Sequence, residues 1–500
     1  MENIVKRLRA ASSVPVIGGI LNFLNGKAFP PLYAALVLLS SLTGLEFLVY
    51  GFTVAVVLFV CLFAEDTKPL IVPVVMIVYS TSWEHTPQPP YRSAFLNDPA
   101  VLAAIMALGA VAVAAMLFRL IVFRRKRNFL TAPTRLKGGL IALAAALILN
   151  GSFFADYTGK DFFLGILIAL SFVAVYLFLY NTCGWNRQTG CYFAYVVGLT
   201  SAVILLQVAK LLLIGHLGTP QGDMSVFTED GSINKDLMIA GWGMSNNIGG
   251  MLAMFMPVWL YFAYRMRHGW IFYILAFMQT GAIAFTLSRS SLLVGGVMLF
   301  AGAVLLSCVR SPRRSFFRVF NIAVIVCVLL FCIVFSEKIK EVFAVIFERG
   351  FSDSNRFRIW LNGLLNFLKA PFFGVGFYES FGVDINIENW IFPDMYHNIA
   401  IQLLASCGTA GMLAYLYHLA QVLNLSVRKP TAERILYLSI FLMITGTSFL
   451  DNHIFHVFPA LVYSASLLLW EKDVEADSPL PLGRDKRGLF RFGKNIREDT

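Results

Sequence analysis

The sequence predicts an all-α fold, a polytopic transmembrane bundle of about 12–14 spans with a large outer loop between spans eleven and twelve. Three observations predict it. Only 14% of the 500 residues are charged while 58% are hydrophobic, and a soluble chain carries about 25% charge. Mean hydropathy is +0.71. Apolar runs of about 20 residues, long enough to cross a bilayer, recur from end to end. The net charge of +11 is concentrated in short basic clusters between those runs. That is the pattern of a positive-inside membrane protein and argues against a nucleic-acid partner.

Residues 1–28 read as a cytoplasmic amphipathic segment carrying Lys6, Arg7 and Arg9. They lack the short apolar core of a cleavable signal peptide. Residues 29–470 form the transmembrane domain. Residues 30–64 hold two spans, broken near Gly44 and Glu46. A third span covers 69–83, and a Pro-containing loop follows. Span four (100–123) ends in the basic run 124–127. Spans five to eight cover 138–155, 162–181, 191–214 and 238–264. Spans nine to eleven cover 270–287, 290–309 and 319–335. The long segment 336–396 precedes span twelve (397–423). Spans thirteen and fourteen cover 435–450 and 455–470. The tail 471–500 is charged, contains Pro and Gly, and reads as cytoplasmic and disordered.

With the amino terminus inside, 14 alternating spans put every strong basic cluster (124–127, 265–268, 310–318, 428–434 and the tail) in the cytoplasm. The same alternation puts the 216–236 loop, Arg289, the 336–396 segment, His397 and His453 outside. Groups distant in sequence then meet at one face. Cys183 and Cys191 flank a cytoplasmic loop, where a disulfide is not expected.

The outer segment holds the candidate chemistry. Residues 337–350 place Ile339, Val342, Phe343, Ile346 and Phe347 on one stripe, as in a helix lying on the membrane surface. Ser352 to Asn355 offer N-caps for a helix from Arg356 to Lys369, which must stop before Pro371. Arg356 and Arg358 sit in its first turn, where cations oppose the helix dipole. That placement suits a docked anion, held by guanidinium and free backbone N–H groups together; otherwise both face water or lipid headgroups. Gly374 and Gly376 suggest a tight turn with close backbone approach.

His397 opens span twelve and could take a proton from a hydroxyl. His418, about 31 Å further along a helix, reads as structural. Arg289 lies between two apolar spans, where an unpaired arginine is costly and marks a functional candidate. Lys210 either joins this basic patch or snorkels. Arg289, Arg356 and Lys210 together would suit a pyrophosphate on a lipid. His453 and His456 form an HxxH beside Asp451 and Asn452, but without a third ligand no metal is expected. No acidic pair of the kind that binds a metal–sugar nucleotide recurs in the outer loops.

Four stretches carry a family resemblance. They are WGMSNNIGGMLAMFMPV with Asn247, TLSRSSLLVGG with Arg289, NRFRIWLNGLLNF followed by PFFGVGF, and YHNIAIQLLASCGTAGMLAYL with His397 and Asn398. In order and spacing the chain resembles the O-antigen ligase and Wzy-type O-antigen polymerase family over roughly residues 200–425. The resemblance implies a glycosyltransferase in the bacterial cytoplasmic (inner) membrane, with its site facing outward. It implies transfer of a glycan from an undecaprenyl (polyprenyl) diphosphate carrier to a hydroxyl of a glycan, lipid or protein acceptor, with no metal, nucleotide or other cofactor. Carried over by position, Arg289 and Arg356 hold the diphosphate as its charge develops. His397 activates the acceptor, and Asn247, Asn398, Lys210 and Arg358 contact substrate. Which of Arg356 and Arg358 carries the family role is open. The rival is a flippase for a lipid-linked oligosaccharide. It would place charge at mid-membrane depth, whereas the ionisable residues here lie near span ends.

Overall fold

The computed structural model describes residues 6, 8, 10–81, 99–123, 134–155, 157–185, 187–216, 233–235, 238–309, 311–337, 356–377 and 395–477. Within them the chain is an all-α multi-pass membrane protein. Nine of the described helices are long and apolar enough to cross a membrane.

Helix α1 (Pro15–Asn25) lies in the amino-terminal segment. The expected break at Gly44 separates α2 (Phe29–Thr43) from α3 (Glu46–Phe63), with Gly44 at φ 72° as a left-handed cap. The third expected span is shorter and irregular. Lys68–Leu70 and Ile77–Ser80 are 3-10 turns around a short α4 (Ile71–Met76). Pro69 and Pro73 each remove a backbone donor there. Helix α5 (Pro99–Val122) follows. Span five is also shorter than expected: α6 (Lys137–Ile148) stops before Gly151, which turns the chain at φ 60°. Helices α7 (Gly159–Thr182) and α8 (Arg187–His216) match spans six and seven.

Span eight is preceded by a small hairpin, β1 (Ile239–Ala240) antiparallel to β2 (Gly243–Met244), and is divided at Pro257 into α9 (Ser245–Phe255) and α10 (Pro257–Arg265). Helices α11 (Gly269–Phe285), α12 (Arg289–Cys308) and α13 (Arg314–Val334) follow. Helix α14 (Arg356–Lys369) occupies the expected place. The expected surface helix at 337–350 and most of the 216–236 loop lie outside the described residues.

Helices α15 (Ile399–Ser426), α16 (Ala432–Asp451) and α17 (Val457–Asp477) complete the bundle. The tail boundary at 471 needs correction. Helix α17 continues to Asp477, and Glu471 is fully buried. Its carboxylate accepts from the Tyr176 hydroxyl and from the Arg135 and Leu136 backbone N–H groups. Arg434 binds both Asp473 and Asp477. Glu471 is satisfied inside the fold, and Asp473 and Asp477 are paired with the buried Arg434, which is why a charged run stays helical here.

Helix α15 is broken at Gly408, whose φ 65° and ψ −160° are not helical. Into the break fits the 371–377 turn. Val375 N–H donates to Ala405 O (2.8 Å), Gly376 N–H to Ser406 O (3.2 Å), Thr409 N–H to Pro371 O (2.8 Å) and Ala410 N–H to Phe372 O (3.0 Å). Irregular backbone is tolerable there because its polar groups are satisfied by protein. Gly374 and Gly376 take φ 73° and 98°. A side chain at Gly374 would meet the Ser406 backbone, so the close approach expected of this turn is present. The turn is also held from the other side: Gly151 N–H donates to Phe373 O (2.8 Å), and Phe377 N–H to Asp161 Oδ1 (2.9 Å).

His418 is buried in α15 with Nε2 2.8 Å from the Tyr463 hydroxyl, in keeping with a structural role.

Candidate functional site

His397 is the last residue before the Asn398 cap of α15. The Asn398 side-chain oxygen accepts from Ala400 N–H (2.9 Å) and Ile401 N–H (3.2 Å). Its amide donates to Phe449 O on α16 (3.0 Å). Both ends of the Asn398 side chain are thus used by the chain itself. The structure gives this residue a capping role. Such a cap stabilises a helix by about 1 kcal/mol.

His397 has φ 51°, in the left-handed region. Its ring reaches across to the end of α16, where Nδ1 lies 2.7 Å from Asp451 Oδ1. The His397 side chain is 37% exposed and the Asp451 side chain 8%. An ionised carboxylate can only accept, so Nδ1 carries the proton in this pair. Nε2 then keeps its lone pair and has no partner among the described residues. This is the geometry of a base oriented by a carboxylate, without a nucleophilic side chain in the arrangement.

Arg356 opens α14, and its charge acts on Asp451. Arg358 is exposed. It lies two residues on, about 200° around the helix axis. Arg356 is half-buried and its charge reaches Asp451, more weakly than those of His397 and His453. Helix α14 is seated by the face that Arg356 shares with Gly363, seven residues on. Gly363 packs against Ile401 and Tyr396, and Asn366 donates to the Tyr396 hydroxyl (2.9 Å). Phe357, Leu361, Leu365 and Leu368 remain exposed.

Arg289 opens α12 and is exposed. Leu287 before it has φ 52°, and Ser288 donates to Ser291 Oγ (2.9 Å). Two adjacent glycines of α9 tie this turn to the other. A Cβ on Gly249 would meet Thr286, Ser288 and Ser291, and one on Gly250 would meet the His453 ring. Helix α9 therefore wedges between the Arg289 turn and the Asp451–His453 turn. Asn247 lies three residues before Gly250, on the same helix face. It is packed against Gly243 of the hairpin.

Lys210 lines a separate small cavity with Ser41, Thr81, Gln207 and Trp242. Gln207 is fixed there, donating to Tyr79 O (2.7 Å) and accepting from Trp242 (3.1 Å). The structure places none of the His397, Asp451, Arg289 or Arg356 groups in that cavity wall.

His453 is buried behind Asp451. Burial pushes its imidazole below the ordinary histidine value; the Asp451 carboxylate opposes that shift and His397 adds to it. His456, whose ring is 6.1 Å from that of His453, is pushed down to about 4, mainly by burial. Among the described residues no group of three His, Cys, Asp or Glu side chains is arranged to hold a metal ion.

Asp451 is the partner of His397 that sequence reasoning missed. It was visible only as the neighbour of an HxxH. The available signal was an acid at the end of an apolar span, a costly placement without a partner.

Residues 274–416 match a family model described as O-antigen ligase. That region runs from within α11 to within α15 and includes Arg289, Arg356 and His397; Asp451 lies beyond it. No curated protein matches the chain.

Proposed function

We propose, from the match of residues 274–416 to a family model described as O-antigen ligase, that this membrane protein transfers a glycan from a polyprenyl (undecaprenyl) diphosphate carrier to an acceptor hydroxyl. It does so at the outer face of the bacterial cytoplasmic membrane, as a ligase or polymerase. The single observation that carries the reading is the 2.7 Å contact between His397 Nδ1 and Asp451 Oδ1.

The acceptor oxygen attacks the anomeric carbon of the carrier-linked sugar. The bond from that carbon to the diphosphate oxygen breaks, and the diphosphate leaves with the electron pair. The acceptor proton passes to His397 Nε2. Asp451 holds the imidazole in the tautomer that can receive it and stabilises the cation that forms. Arg356 and Arg289, each at the first turn of a helix, receive the growing negative charge together with the positive end of the helix dipole. Side chains alone can supply this chemistry, and the reading assigns no step to a metal.

The test is the pool of lipid-linked glycan in host cells with His397→Ala or Arg356→Ala at matched membrane levels. Accumulated donor and absent finished polymer support the reading. Normal polymer with both variants would overturn it.

A further inference from the structure

We infer that Gln402 is a positioning residue that sets His397 on Asp451; the inference rests on the proposed function for its role in transfer. Gln402 is fully buried in α15, one turn below the Asn398 cap. Its Oε1 accepts from the Tyr396 backbone N–H at 2.9 Å and from the Asn452 side-chain amide at 2.7 Å. Tyr396 immediately precedes His397, and Asn452 immediately follows Asp451. One oxygen atom therefore joins the backbone in front of the imidazole to the residue behind the carboxylate.

Both turns need such a constraint. His397 has φ 51° and Asn452 φ 44°. Non-glycine residues hold left-handed conformations only where the surroundings over-determine them. The remaining end of Gln402 is fixed as well: Nε2 donates to the buried Ser406 Oγ at 2.9 Å. Tyr396 carries a second tether, the 2.9 Å bond from Asn366 of α14, the helix that Arg356 opens. Gln402 thus links three elements, α14 through Tyr396, α15 in which it lies, and α16 through Asn452. A buried hydrogen-bond network of this kind rigidifies the groups it joins. Removing its central acceptor breaks one hydrogen bond at each of two donors.

A merely structural glutamine would change stability alone. A positioning residue changes the histidine–carboxylate contact and the chemical step. The experiment uses the full chain in detergent micelles with 15N-labelled histidine, and His397→Gln identifies the His397 signal. In the wild type the His397 Nδ1 proton should resonate far downfield, as expected for a hydrogen bond to a carboxylate. In Gln402→Leu that signal should be lost. The kcat for transfer from the lipid-linked donor should fall by roughly 10- to 100-fold, the scale of a misplaced catalytic group, with KM unchanged. Gln402→Glu keeps the acceptor oxygen and should retain the signal and most of kcat.

Asn452→Gly guards against a misfolded Leu variant, because glycine accepts φ 44° without strain. It should weaken the same signal. Combined with Gln402→Leu it should add little further loss, since both remove one shared hydrogen bond. An unaltered His397 signal in both Gln402→Leu and Asn452→Gly overturns the inference. If the signal responds as stated but the wild type transfers no glycan, the positioning role stands and the proposed function falls.

Discussion

His397 Nδ1 and Asp451 Oδ1 lie 2.7 Å apart although 54 residues separate them in the chain. One residue begins a helix and the other ends its neighbour. The pair therefore depends on how α15 and α16 meet, and its exposure is unequal: the acid is enclosed and the base is open. That asymmetry suits a group that must exchange a proton with substrate while its partner stays ionised.

Removing the base should lower transfer by about 10²- to 10⁴-fold, the usual contribution of general base catalysis. Asp451→Asn should also lower kcat, because an amide can present its N–H to the ring and favour the wrong tautomer. Both losses are expected in kcat for purified protein given a lipid-linked donor, with membrane levels of protein unchanged.

The two arginines of α14 should behave differently. Arg356→Ala is expected to reduce transfer strongly, since its charge acts at the His397–Asp451 pair. Arg358→Ala, on an exposed position about 200° away around the helix, should leave kcat near wild type. Equal losses from both would reassign the pair. Asn398→Ala supplies a contrast: it should cost about 1 kcal/mol of stability through the lost cap, seen as a lower unfolding midpoint.

Gly408→Ala should be far more damaging than an ordinary helix substitution. Its φ of 65° with ψ −160° disfavours any side chain, and a Cβ would strike the backbone of Phe372 and Phe373. Backbone strain of this kind costs about 1–3 kcal/mol before the collision is counted. A lower thermal midpoint and faster proteolysis near residue 371 would check it.

Acid should destabilise the protein through His453 and His456. Their folded values lie below the ordinary 6.5, and that of His456 is about 4. Above 6.5 both states are neutral and these groups contribute no pH dependence. As the pH falls below that value the unfolded chain binds protons that the fold refuses, so stability drops until the folded imidazoles also titrate. Unfolding midpoints measured from pH 7.5 to 4.5 should fall, and His453→Gln combined with His456→Gln should flatten the slope.

Much of the bundle was legible because a membrane span announces itself by the length of its apolar run. Arg289, Arg356 and His397 were legible because they sit in motifs at helix starts. Other features were not. The Asp451 partnership has no local pattern, since a strand of sequence holds no record of which helix end its last residue faces. The Gly408 break is invisible in a run of small and apolar residues; only the backbone groups of the 371–377 turn make it stable. The extension of α17 was hidden because Glu471, Asp473 and Asp477 look like a solvated tail until Tyr176 and Arg434 are seen beside them. The small cavity that Lys210 lines was not legible either, because a snorkelling lysine and a cavity-lining one look alike in sequence.

The inserted 371–377 turn also bears on how such proteins can be recombined. Residues 274–416 match a family by themselves, yet the turn at their centre is fastened to Gly151 and Asp161. A chimera that joins this half to foreign amino-terminal spans would leave Phe373 O and Phe377 N–H without their partners. The boundary of inheritance is therefore wider than the boundary of resemblance, and a functional exchange must carry residues 151–161 along with the domain they brace.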